Sequence, residues 1–114
     1  MYTVQALWSL ARENANVVVI VLKNSQYAIL EVELARVCAG DANDRMLSTM
    51  HLDSPTLDWV KLAEGHGVSA TRATTAEEFH QQFEAALAAT GPRLIEAQCT
   101  DSIRPLVEMV RRLK

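Results

Sequence analysis

The sequence predicts an α/β domain, with a parallel sheet flanked by helices in three layers. Three observations carry that prediction. The run Val17-Val-Val-Ile-Val-Leu22 is six residues of unbroken Val, Ile and Leu, the pattern of a strand covered on both faces. Segments with apolar residues at helical spacing alternate with short apolar runs in the order αβα, loop, αβαβα, which calls for parallel strands joined by right-handed crossovers. At 114 residues, with 49% hydrophobic but only 5% aromatic residues, the chain has one aliphatic core of the size that a single layered domain encloses.

Each element follows from its local pattern. Val4, Leu7, Trp8 and Ala11 recur on one stripe and predict a helix over residues 2–14. Asn14-Ala15-Asn16 closes it, and the strand 17–22 follows. Tyr27, Leu30, Leu34 and Val37 form a second stripe, so 27–37 is read as helix, ended by Cys38-Ala39-Gly40. Asp41 to His51 is polar and irregular and is expected to be a mobile loop. Ser54-Pro55 suits the cap and first turn of a helix reaching Glu64, which Gly65 and Gly67 terminate. Val68–Ala73 is a short strand. Thr74-x-x-Glu77 and Thr75-x-x-Glu78 are overlapping capping boxes ahead of Phe79, Phe83, Ala86 and Leu87. Gly91-Pro92 stops that helix, Arg93–Gln98 is the last strand, and 105–114 is read as a short amphipathic helix.

Composition excludes several classes. A net charge of −3 gives no electrostatic case for nucleic acid or an anionic membrane surface. No apolar run nears the ~18 residues of a membrane span. The first residues lack the basic region of a signal peptide, so a cytoplasmic protein is expected. Cys38 and Cys99 stand alone and read as buried reduced thiols. His51, His66 and His80 lie in separate segments without metal-ligand spacing, and no serine sits in an elbow motif. Glu31 and Glu33 fall on different helix faces and read as solvated.

The informative chemistry lies where the strand 17–22 breaks into Lys23-Asn24-Ser25-Gln26-Tyr27. Ligands of open α/β sheets bind beyond the carboxyl ends of strands. A carboxamide there can ligate a hard cation or hold phosphate; Asn is equally an ordinary turn residue. Tyr27 is open to both a ligand role and core packing.

Together with Met1-Tyr-Thr-Val-Gln-Ala-Leu-Trp-Ser-Leu-Ala-Arg-Glu-Asn14, Ser54-Pro-Thr-Leu-Asp-Trp-Val-Lys-Leu-Ala-Glu-Gly65 and Gly91-Pro-Arg-Leu-Ile-Glu-Ala97, this loop resembles the C-terminal cofactor-binding domain of thiamine diphosphate-dependent enzymes, on the acetolactate synthase and benzoylformate decarboxylase side. The similarity covers residues 1–99, taken as the C-terminal portion of that domain; 100–114 falls outside it as a tail. The family's cofactor motif opens with Gly-Asp-Gly and closes with an Asn loop. Met1-Tyr2-Thr3 matches the segment just after Gly-Asp-Gly, so the chain is expected to start past that motif.

The resemblance implies thiamine diphosphate and Mg²⁺ as cofactors and 2-keto acids as substrates. Asn24 would give its side-chain oxygen, and Gln26 its backbone carbonyl, to Mg²⁺. Tyr27 and Ala28 would lie against the diphosphate, with Tyr2 and Thr3 nearby. Ile29 and Leu30 would line the substrate pocket. In pyruvate decarboxylase relatives a catalytic Glu holds the place of Leu30, and leucine relays no proton. The segment Ile29-Leu30-Glu31-Val32-Glu33 also departs from the Trp-containing stretch of acetolactate synthases. No catalytic residue is expected within the chain, which lacks the metal-binding Asp and the activating Glu. Alone it is expected to be inactive, with a homo-oligomer or the remainder of the enzyme as partner and neither nucleic acid nor membrane. The other reading is a catalytically silent binding or oligomerisation module that kept the fold.

Overall fold

A computed structural model describes residues 2–37, 43–100, 102, 105, 108 and 109. The chain divides into two compact units, Met1–Lys23 with Asp58–Cys99, and Asn24–Leu57 with Thr100–Lys114.

The first unit is built on a three-stranded parallel sheet in the order β1-β3-β2, with β1 at Val18–Lys23, β2 at Ser69–Ala73 and β3 at Arg93–Gln98. The last strand in sequence is therefore the central one. Val18 and Ser69 both register with Arg93, and Val21 and Arg72 both register with Glu96. Helices α1 (Ala6–Arg12) and α4 (Trp59–Gly65) cover one face, where Leu7, Ala63, Val68 and Leu94 form a core joined by Val19, Val21 and Trp59. Helix α5 (Ala76–Ala88) covers the other, with Ala73, Ala86 and Ile95 packed against Val18, Phe79 and Phe83. This is the expected three-layer α/β arrangement.

Local chemistry sets the boundaries. α1 is shorter than its apolar stripe suggests: residues 2–5 are turns, and Asn14, at φ +45, sits in the left-handed region that ends a helix. α4 begins at Trp59 rather than at Ser54-Pro55, because the cap is Asp58, whose carboxylate accepts the Lys61 N–H at 3.2 Å. Thr75 caps α5 by accepting the Glu78 N–H at 3.1 Å. Glu78 reaches back to the N–H and hydroxyl of Thr74, both at 2.8 Å, a capping box shifted by one residue. Phe79 and Phe83, one turn apart, stack at 5.9 Å. Between α5 and β3, Gly91 holds φ +81 while its N–H donates to Asn16 Oδ1 at 2.6 Å.

β1 departs from the reading of a strand covered on both faces. It is an edge strand, and on the α5 side only Val18 reaches the core; Ile20 is 40% exposed and Leu22 70%. α5 packs mainly over β2 and β3, so the far end of β1 extends past its cover.

In the second unit, α2 spans Ala28–Val37 and α3 spans Asp44–Ser48. The latter lies in the stretch expected to be irregular. Its nucleus is Asn43, whose side chain accepts the Met46 N–H at 2.9 Å, a short-range cap that apolar periodicity cannot reveal. Ser54-Pro55 is a cis peptide bond in a turn closed by an Asp53–Thr56 bridge, which replaces the helical start expected there. The expectations for Cys38-Ala39-Gly40, and most of those for 105–114, lie outside the described residues. Among the described residues, no helix is long and apolar enough to cross a membrane.

Candidate functional site

The polar break after β1 forms a tight turn in the second unit. Ser25 takes φ +55, which reverses the chain within one residue. Asn24 Oδ1 accepts the Gln26 N–H at 3.4 Å, the side-chain-to-backbone closure that favours Asn in turns. Gln26 pairs with His51 in an antiparallel bridge: the Tyr27 N–H donates to the Met50 carbonyl at 2.8 Å, and the Leu52 N–H to the Ser25 carbonyl at 2.8 Å. The loop is thus fastened by backbone bonds to a segment some twenty-five residues further along. α2 starts directly after it, with the Leu30 and Glu31 N–H groups both donating to the Tyr27 carbonyl.

Asn24 and Gln26 are half-buried within this turn. Tyr27 is half exposed, and Ile29 and Leu30 project outward at 70% and 52% exposure; Ala28 is half-buried at the helix start. Tyr2 and Thr3 belong to the first unit. Both are exposed, and the Thr3 carbonyl accepts the Ala6 N–H at 2.9 Å as the chain turns into α1.

The chemistry of the loop suits a hard cation in part. The contact at 3.4 Å to Asn24 Oδ1 is long for a hydrogen bond, and a carboxamide oxygen has two lone pairs. Together with main-chain carbonyls of the turn, this is a set of neutral oxygen donors. Mg²⁺ takes such donors alongside carboxylates and phosphate oxygens. Among the described residues, no cluster of three or more His, Cys, Asp or Glu is placed to hold a metal.

Two features escaped the sequence reading. Glu31, read as solvated, turns inward: its Oε2 is buried, accepts no hydrogen bond among the described residues, and lies 3.7 Å from His51 Nε2. Glu33 instead pairs at the surface with Arg36 at 2.7 Å.

The second feature is an ion network in the first unit, at the carboxyl ends of its strands. Glu96 has no exposed side-chain surface; its Oε1 accepts from Lys23 Nζ at 3.1 Å and Arg72 Nε at 3.0 Å, and its Oε2 from Arg72 Nη2 at 3.1 Å. Arg72 Nη2 also donates to Asp58 Oδ1 at 3.0 Å. Burial alone would raise the Glu96 pKa, but the hydrogen bonds and charges of Arg72 and Lys23 outweigh it and hold the carboxyl below its ordinary value. The Lys61 N–H, with Arg72 and Lys61 nearby, lowers Asp58 likewise. The charge within the apolar Arg93-Leu-Ile-Glu-Ala97 was the available signal, because a buried carboxylate requires partners.

A groove of about 270 Å³ between α5 and the sheet, lined by Ser69, Thr71, Gln82 and Ile95 among others, contains none of the residues expected to bind a cofactor. His66 is engaged with the Leu62 carbonyl at 2.7 Å, and His80 with Glu84 at 3.3 Å.

Comparison with known proteins identifies what this architecture resembles. Residues 1–97 match the family described as thiamine pyrophosphate enzyme, C-terminal TPP binding domain. IlvX of Mycobacterium tuberculosis, which carries the name of an acetolactate synthase large subunit, is 48% identical over 97 residues, covering 84% of this chain and 19% of that protein. Benzoylformate decarboxylase of Pseudomonas aeruginosa is 38% identical over 104 residues, covering 91% and 18%. Among solved structures, the thiamine diphosphate-dependent 4-hydroxybenzoylformate decarboxylase of Rhodococcus jostii RHA1 superposes with a TM-score of 0.74 at 37% identity, over 89% of this chain and 18% of that one. The chain thus spans about a fifth of the length of the relatives it matches.

Proposed function

The chain belongs to the thiamine pyrophosphate enzymes, as a C-terminal TPP-binding domain, and from that membership we propose that it is the cofactor-binding portion of a thiamine diphosphate- and Mg²⁺-dependent lyase or carboligase acting on 2-keto acids, acetolactate synthase-like and cytoplasmic. The observation that supports the metal assignment is the turn itself. Asn24, Ser25 and Gln26 fold back at the end of an apolar strand, with the Asn24 side-chain oxygen in a long contact to the Gln26 N–H and the loop fixed through Gln26 and His51.

In this reading Asn24 Oδ1 and the Gln26 carbonyl are the protein's neutral ligands to Mg²⁺. Tyr27 and Ala28 hold the diphosphate side. Ile29 and Leu30 present an apolar wall to the substrate and exclude water from it. Bound thiamine diphosphate supplies the acidic thiazolium carbon that adds to a keto carbonyl. The chain's own residues bind and orient the cofactor. The sequence holds no Gly-Asp-Gly, so the metal's carboxylate must come from another polypeptide segment. Isolated, the chain binds without turnover.

Calorimetric titration with thiamine diphosphate in excess Mg²⁺ tests this. Saturable, Mg²⁺-dependent heat that vanishes in Asn24→Ala is the expected result. A folded chain giving no heat would refute autonomous cofactor binding.

The exposed end of β1 supports a second reading, a non-catalytic module that associates through its sheet edge. Ile20 and Leu22 lie uncovered on an edge strand, the arrangement that invites pairing with another chain. Concentration-dependent self-association that Leu22→Lys abolishes, in a chain that takes up no cofactor, would favour it.

A further inference from the structure

The chain crosses between its two units at Lys23–Asn24, Leu57–Asp58 and Cys99–Thr100. At each crossing, the residue on the first-unit side is tied to the others within that unit. Lys23 Nζ donates to Glu96 at 3.1 Å. Arg72 joins Glu96 to Asp58. The Cys99 N–H donates to the Lys23 carbonyl at 2.9 Å. Asp58, Lys23 and Cys99 are therefore linked through Arg72, Glu96 and the backbone of Lys23.

We propose that the Glu96-centred network is a positioning device: it fixes the spacing of the three strand and helix ends from which the second unit departs, and so holds the Asn24–Tyr27 loop in its cofactor-binding form. The proposal rests on the reading of that loop as the cofactor loop. Glu96, Arg72 and Lys23 are positioning residues in it and touch no cofactor.

Several observations favour this role over simple strand stapling. Apolar packing already unites the strands through Leu94 and Ile95, each 1% exposed, so the sheet does not need a buried charge for cohesion. A buried ion pair contributes direction and length more dependably than net stability. The guanidinium grips Glu96 through two parallel bonds, which restricts rotation. Lys23 is held at two points, its ammonium and its carbonyl, and Asn24 is the next residue. Water has little access to the Lys23–Glu96 bond, because the Lys23 side chain is only 11% exposed and that of Glu96 not at all, while Arg72 reaches the surface at 43%.

The test compares Lys23→Met, Lys23→Arg and Phe83→Leu in the full chain. Phe83 lies on the opposite face of the sheet, so Phe83→Leu lowers stability without touching the network. The first readout is hydrogen exchange of the Tyr27 and Leu52 amides, which hold the loop closed and need no cofactor. Loss of a hydrogen bond to a charged group is worth roughly a tenfold change or more in an opening equilibrium. Both amides should exchange about tenfold faster in Lys23→Met, recover in Lys23→Arg, and stay at wild-type rates in Phe83→Leu. The second readout is affinity for thiamine diphosphate in excess Mg²⁺, which should fall by a similar factor in Lys23→Met alone.

Wild-type exchange in Lys23→Met, or equal acceleration in Phe83→Leu, overturns the proposal, as does unchanged cofactor affinity in Lys23→Met. If the wild type takes up no cofactor yet the amides respond as expected, positioning stands and the cofactor reading falls. Should Lys23→Met fail to fold, Asp58→Asn carries the same measurement. It keeps the cap of α4 while removing the charge that Arg72 contacts.

Discussion

Arg72 and Glu96 meet side-on across neighbouring strands, Nε to Oε1 at 3.0 Å and Nη2 to Oε2 at 3.1 Å, at positions that the sheet register sets opposite one another. The geometry matches the planar fork of the guanidinium to both carboxylate oxygens, and Lys23 occupies the remaining direction. Strand pairing and charge pairing therefore specify the same alignment.

Removing the charge at Glu96 leaves the nearly buried Lys23 and the partly exposed Arg72 facing a neutral amide. Glu96→Gln should cost about 3 kcal/mol, the low end of the penalty for breaking a buried pair from one side, because Arg72 reaches solvent. Urea unfolding should show a lower midpoint with an unchanged slope. Glu33→Gln, which removes the exposed partner of Arg36, should shift stability by less than about 1 kcal/mol.

Acid should unfold the protein through the same group. The Glu96 pKa lies below its ordinary value near 4.5 when folded, so its contribution is full above that ordinary value and is lost as pH falls through the lower folded-state value. Asp58 and Glu78 are lowered as well and act in the same direction. Thermal midpoints measured from pH 7 downward should hold to about pH 5 and then decline. In Glu96→Gln that decline should be shallower; an equal slope would remove Glu96 from the account.

At the start of α5, Thr75→Ala deletes the acceptor of the Glu78 N–H and should cost about 1 kcal/mol, whereas Thr75→Ser should be nearly neutral. Chemical denaturation of the two variants separates loss of the cap from loss of the methyl group.

Gly91 holds a conformation that L-residues reach only with strain. A Cβ there would lie 2.7 Å from Asn14 Oδ1, the end of a side chain that can swing aside, so the backbone penalty dominates. Gly91→Ala should destabilise by about 1–2 kcal/mol. Gly91→Asn should lose less, because Asn tolerates positive φ.

Apolar periodicity and turn chemistry made most of the sheet legible. Val17–Leu22 and Arg93–Gln98 gave the paired strands nearly to the residue, and Thr75 with Glu78 gave the start of α5. Short-range polar bonds were harder to read. Asn43 nucleates α3 inside a stretch with no apolar stripe, and Asp58 displaced Ser54-Pro55 as a cap because both sites satisfy the same local rule. Strand order was also hidden. Nothing in the run Val17–Leu22 distinguishes an edge from a centre, so the exposure of Ile20 and Leu22 had no local signature. At the candidate site, the turn at Asn24 was visible as a polar break, while the partnership of Gln26 with His51 and the inward turn of Glu31 depend on residues far apart in sequence.

The central position of the last strand governs how the protein can be made. During synthesis β1 and β2 emerge early, but neither touches the other; each finds its hydrogen-bonding neighbour only when Arg93–Gln98 leaves the ribosome. Until then the apolar β1 and the more polar Ser69–Ala73 strand wait with open edges, and the distant pairings of such a topology close slowly. The sheet therefore cannot close until Arg93–Gln98 is available to both of its neighbours.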